Sequence, residues 1–124
     1  MNKEELEREM AQCYGTECYY RHQLINMMYT DGVKCFALNA GGGAYWFLTD
    51  CGLFVRNAIK NRPDEEMFAV HLVVSDSGKA DLIFKDCNDE VVYKKHYAYT
   101  DCPEGDWLFY YFVSEKLLIW KGEY

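Results

Sequence analysis

The apolar residues of this chain change period at Pro63, and that change constrains the fold more than any other feature. Ahead of it they recur at helical spacing, whereas behind it they alternate as in a strand with one buried face. From Ala44 to about Lys60, Tyr45, Leu48, Gly52 and Val55 or Arg56 share one helical face, and Trp46, Leu53 and Phe54 widen it, which predicts a central packing helix. Pro63 with Asp64, Glu65 and Glu66 reads as an exposed connection. Three alternating runs follow, set by Phe68, Val70, Leu72 and Val74, by Ala80, Leu82 and Phe84, and by Val91, Tyr93, Lys95 and Tyr97. Asp76-Ser77-Gly78 and Cys87-Asn88-Asp89 supply the turns of an antiparallel meander. A last hairpin joins Leu108 to Val113 with Lys116 to Trp120 around Ser114-Glu115.

Upstream, Asn2 to about Gln12 forms a polar helix with Glu4 and Glu5 at its positive end and Leu6 and Met10 on one face, and Gly15 ends that region. A short strand is expected near Ile25 to Tyr29. Tyr29-Thr30-Asp31-Gly32 then leads into a hairpin turn or, preferably, a short helix from Val33 to Asn39, and Gly41, Gly42 and Gly43 break the chain. Helices first and strands second give an α+β fold of one domain over residues 1–124. Its N-terminal helices pack on one face of a four- to five-stranded antiparallel sheet, the meander plus the C-terminal hairpin.

Several segments taken together, Tyr20-Arg21-His22, Tyr29-Thr30-Asp31-Gly32-Val33-Lys34, Gly43-Ala44-Tyr45-Trp46-Phe47-Leu48, Tyr99-Thr100-Asp101-Cys102-Pro103 and the ending Gly122-Glu123-Tyr124, carry a resemblance. Over roughly residues 12 to 124 the chain resembles an uncharacterised bacterial domain family found on phages and plasmids, with the pattern YRH, YTDGVKY, GAYWLLD, YTDFP and a terminal EY. The resemblance implies an origin on mobile elements and carries no activity. Where that pattern has aromatic or aliphatic residues, this chain has Cys13, Cys35, Cys51 and Cys102.

Six cysteines beside a charged N-terminus, MNKEELEREM, with no hydrophobic signal region point to free thiols or metal ligands before disulfides. Cys13-x4-Cys18-x3-His22 is their densest cluster, compatible with a structural zinc that needs a fourth ligand. Cys87 and Cys102 lie at opposite ends of one strand, and Cys102 is the preferred fourth ligand; the competing reading makes the cysteines small core residues. A nucleophilic Cys18–His22 pair would be the basis of a thiol- or metal-dependent enzyme, but no oxyanion-hole signature accompanies it. His71 and His96 read as solvated. The glycines at 41–43 lack the Lys-Ser/Thr of a phosphate-binding loop and read as a helix breaker.

Thirteen Lys and Arg against twenty Asp and Glu leave a formal net charge of −7. Such a field repels phosphate backbones, so direct nucleic-acid binding is not expected, and it favours a basic protein partner. No apolar run reaches the roughly 18 residues of a membrane span; a cytoplasmic monomer is expected. Asp86, Asp89 and Glu90, with Asp101, Glu104 and Asp106, are either a solvated face or a docking surface anchored by Trp107, Tyr110 and Tyr111 near the last hairpin. Size, acidity and the family resemblance together suggest a non-catalytic phage or mobile-element protein that inhibits a host defence nuclease, an anti-CRISPR-type inhibitor of a CRISPR effector. The alternatives are the Cys18/His22 enzyme and an accessory protein.

Overall fold

The computed structural model of the protein describes residues 2–13, 19–22 and 25–124; Gly15 and Cys18 lie outside the described residues. Asn2 caps α1 (Lys3–Ala11): its side chain accepts from the Glu5 N–H at 2.8 Å, and the Glu5 carboxylate accepts from the Asn2 N–H at 3.3 Å. Two short strands, β1 (Tyr20–Arg21) and β2 (Met28–Tyr29), precede α2 (Asp31–Asn39) and α3 (Tyr45–Asn61). Then come β3 (Met67–Val74), β4 (Ala80–Lys85), β5 (Val91–Tyr97), β6 (Gly105–Phe112), β7 (Leu117–Trp120) and a 3-10 turn at Lys121–Glu123. The helix-then-strand order and the α+β class are as the period change predicts.

The sheet is larger than expected, with seven strands in the order β1-β2-β7-β6-β3-β4-β5. β2 falls at the end of the short strand expected near Ile25 to Tyr29, whereas β1, at two residues, is too short for any period to announce it. Their pairing is set from outside: Lys116 O accepts from the Met28 N–H at 2.8 Å, which lays β2 parallel to β7 while all other pairs are antiparallel. The last hairpin does not extend the meander at β5. It returns to the other side of β3, so that β6 is the middle strand.

Phe68, Val70 and Leu72 of β3, Leu82 and Phe84 of β4, Trp107 and Phe109 of β6 and Leu118 of β7 are buried on one face of this sheet, and the helices cover that face. Phe36 of α2 lies 5.4 Å from Phe47 of α3, 4.9 Å from Trp107 and 5.2 Å from Phe109, and Phe47 lies 4.8 Å from Phe109. Each tilted or edge-on pair adds about 0.5–1.5 kcal/mol to the burial of its rings. Farther along, Trp46 packs on Tyr97 and Phe54 stacks on Tyr93, which lays α3 along β5.

The chain end closes this layer. Glu123 accepts from the Thr30 hydroxyl at 2.6 Å, the Gly32 N–H at 3.1 Å and the Trp120 N–H at 3.0 Å. Thr30 thus precedes α2 without a capping bond of its own, and the Glu123 carboxylate serves as the anion at the positive end of the helix. A Cβ on Gly32 would stand 2.5 Å from Glu123 Oε1, so only glycine admits the carboxylate this close. Replacing Glu123 by alanine should cost about 1–3 kcal/mol, because hydrogen bonds to a charged group are lost together. Glu115→Ala, in the exposed β6–β7 turn, should stay within about 0.5 kcal/mol of the parent. Urea unfolding measures both, and equal effects would remove Glu123 from its role.

Candidate functional site

Period two divides β6 between the two faces of the sheet. Trp107, Phe109 and Tyr111 point into the core, and Asp106, Leu108, Tyr110 and Phe112 point away from the helices. Beside them on β3 stand Met67, Ala69, His71 and Val73, paired across the ladder with Phe112, Tyr110, Leu108 and Asp106. On the other side Leu117 and Ile119 of β7 pair with Phe112 and Tyr110. Met67, Leu108, Tyr110, Phe112 and Leu117 are half-buried and lie outside the core, while Ile119 is buried at 8% exposure. The strip covers three strands, roughly 15 by 25 Å, within the range of about 300–600 Å² in which monomers carry functional patches.

Among the described residues no helix lies on this strip. What touches it is Tyr124, whose ring stacks on Phe112 at 6.1 Å and leans on Tyr110 at 5.0 Å while itself staying 74% exposed. Toward β4 and β5 the same face turns polar. His71 Nδ1 is 3.0 Å from Asp106, His96 Nδ1 is 2.9 Å from Asp81, and Lys94 stands exposed.

The carboxylates expected to form a docking surface go to different duties. Asp86 is buried beneath the β4–β5 turn, where it accepts from the N–H groups of Asn88 and Glu90 at 2.9 and 3.0 Å and from Arg62 Nε at 3.2 Å. Asp101 accepts from the Gly42 N–H at 2.7 Å, close enough that Gly41, at φ 57°, has no room for a side chain. Trp107 is 1% exposed and donates its ring N–H to Pro103 O at 2.9 Å, so the expected anchor is a core residue; Tyr111 is buried as well. The remaining carboxylates separate. Asp89 and Glu90 stand with Glu65 and Glu66 at the end of the sheet where β3 begins and β6 finishes, and Glu104 and Asp106 at the other end. Eight residues of strand, roughly 25 Å, lie between them. The first group borders the Met67–Phe112 end of the apolar strip.

Nor does the structure gather Cys13, His22 and Cys102. Cys13 Sγ donates to Glu9 O, His22 Nε2 meets the Thr49 hydroxyl at 3.0 Å, and Cys102 is buried with its N–H on Thr100 Oγ1. Cys18 lies outside the described residues. Among the described residues no three His, Cys, Asp or Glu side chains stand close enough to hold a metal ion. Burial pushes the Cys35 thiol up to about 11 and also raises Cys51 and Cys102, and a hydrogen bond to Glu65 raises Cys87, so all four stay protonated at neutral pH. Burial and the bond donated to Asp50 at 2.5 Å likewise raise Tyr97.

The segments that carry the family resemblance meet in pairs. Thr30 and Gly32 meet Glu123, Gly42 meets Asp101, and Tyr20 stacks on Tyr29 at 5.7 Å. Gly43, Trp46, Tyr99, Thr100 and Asp101 also line, with Tyr97, one cleft of about 380 Å³. These segments are joints of the fold, and the contacts that join them name no reaction. What the fold and this face define is an α+β domain with an apolar sheet face that no helix among the described residues covers. Over residues 4–124 the chain matches the family of unknown function DUF6876 and belongs to that family. No curated protein and no solved structure matches it.

Asp86 makes one consequence measurable. Its hydrogen bonds, chiefly from the Glu90 N–H, then those from Asn88 and Arg62, hold its carboxyl below the ordinary value of 3.8. A depressed folded-state value stabilises above the unfolded value, and that stability is lost as pH falls through the folded one. Asp86→Asn should therefore unfold at lower urea than the parent at pH 7, and the two midpoints should converge as pH drops below about 3.8. A gap that stays constant to pH 2.5 would contradict the assignment.

Proposed function

We propose that this domain works by binding another protein through the β7-β6-β3 face that no described helix covers, and that it inhibits this partner without catalysis. One observation carries the reading: the middle strand is apolar on both faces, and among the described residues the helices cover only one of them. In an antiparallel sheet with one face in water, outward positions are ordinarily polar. Here Leu108, Tyr110 and Phe112 follow one another along the outward side. Aromatic and aliphatic side chains rimmed by charge are what protein interfaces place at their centre.

The rim favours a basic partner. Glu65, Glu66, Asp89 and Glu90 stand at one end of the strip, Glu90 3.4 Å from Arg62 and Asp89 3.4 Å from Lys85, and the net charge of −7 carried by the whole chain repels a second copy and steers in a cationic surface. A host defence nuclease of the CRISPR-effector kind, with its basic nucleic-acid channel, has that chemistry and fits the origin on phages and plasmids that the family resemblance implies. Occupying the channel would inhibit it without catalysis. Such a partner acts in the cytoplasm, and no helix among the described residues is long and apolar enough to cross a membrane.

Co-purification with candidate effector nucleases, followed by a DNA-cleavage assay, tests this. Tyr110→Asp with Phe112→Asp should weaken the complex at least about 30-fold, the effect of losing one interface anchor, and leave the melting temperature within a few degrees. Asp89→Lys with Glu90→Lys should slow association, with the difference fading in high salt as screening shortens below about 8 Å. A complex indifferent to Tyr110 and Phe112 would place the interface elsewhere.

A further inference from the structure

The described cysteines are free thiols, and two of them share a pocket. Cys13 follows the end of α1, and Cys35 lies one turn into α2; both line a hollow of about 320 Å³ with Tyr20, Asp31, Lys34 and Asn39. Both thiols stand on the wall of the same hollow, and Cys13 adds to the upward shift of the Cys35 thiol that burial dominates. Asn39 Nδ2 holds Cys35 Sγ at 3.6 Å, and Cys13 Sγ is anchored on Glu9 O at 3.5 Å. Cys51 and Cys102 are buried away from this pocket, and Cys87 belongs to the β4–β5 turn beside Glu65.

We propose that Cys13 and Cys35 are a dithiol site for low-molecular-weight disulfides of the glutathione type, and that exchange closes them into an intramolecular disulfide clamping α1 to α2. Cys13, the more exposed of the two, attacks as thiolate and breaks the S–S bond of the small disulfide, giving a mixed disulfide and one free small thiol. The small thiolate released in that step takes the proton of Cys35, and Cys35 Sγ then attacks Cys13 Sγ as thiolate. The second small thiol leaves as thiolate and takes a proton from water. Two protein thiols are oxidised and one disulfide is reduced to two thiols. The hollow admits the reagent, and the Lys34 ammonium, 4.0 Å above the Tyr20 ring, offers a cation to its carboxylates.

The clamp acts where the fold is held least. α1 has nine residues and buries only Leu6 and Met10, too little for a helix of that length to persist alone. A cross-link to α2 would tie its end down. In a reducing cytoplasm the open dithiol is the resting form, and closure reports oxidising conditions.

The test is incubation of the full chain with oxidised glutathione, peptide mapping without reduction, and thermal unfolding of the product. The expected result is a loss of two hydrogens per chain, a Cys13–Cys35 linked peptide and a higher melting temperature than the reduced chain. Cys18→Ser should keep the link, whereas Cys35→Ser should stop at a glutathione adduct on Cys13. A Cys13–Cys18 link, a wild-type adduct that does not resolve, or modification only at Cys87 would each overturn the proposal.

Discussion

The contact of Phe109 with Phe36 and Phe47 decides how everything else is arranged. It places the middle strand under α2 and α3 at ring separations of 5.2 and 4.8 Å, and all three side chains are excluded from water. Losing one such ring costs about 3–5 kcal/mol, a large share of the stability of a small domain. Because side chains alternate, fixing Trp107, Phe109 and Tyr111 inward fixes Leu108, Tyr110 and Phe112 outward. The same packing that builds the core therefore exposes the apolar strip. No shift of register relieves it, since a slip of one residue would exchange one apolar set for another.

The strands from Met67 to Tyr97 and the three helices were legible because each presents one apolar face at its own period. β6 follows a different pattern, an unbroken apolar run from Trp107 to Val113, and that run was the available sign of a strand with two apolar faces. Reading Trp107, Tyr110 and Tyr111 as a single group overlooked the alternation that separates them. The position of β6 beside β3 was not legible, because adjacency within a sheet leaves no period in the sequence. The pairing of β2 with β7 and the reach of Glu123 to α2 depend on contacts across about ninety residues of sequence, which local patterns do not encode.

Charge was read correctly in total and misassigned in place. Asp86, Asp101 and Glu123 each satisfy backbone N–H groups at a turn, a glycine break or a helix start, where an acceptor is required. Carboxylates on such duty are withdrawn from the surface field. Asp89, Glu90 and Glu104 hold none of these backbone bonds; Asp89 and Glu90 instead stand 3.4 Å from the cations of Lys85 and Arg62, exposed pairs that a partner's own cations can replace. Cysteine spacing gave only the local grouping of Cys13 with Cys18 and His22; the placing of Cys13 and Cys35 on one hollow comes from the meeting of α1 with α2, which spacing does not encode.

Hydroxyl-radical footprinting of the side chains, in the dilute chain and in complex with a captured partner, tests the uncovered face most directly. The account predicts that Met67, Tyr110 and Phe112 are oxidised readily in the free chain while Trp107, Phe109 and Tyr111 are not, and that the first set becomes protected in the complex. Equal protection of both sets in the dilute chain, or undiminished labelling of Tyr110 and Phe112 in the complex, would contradict it.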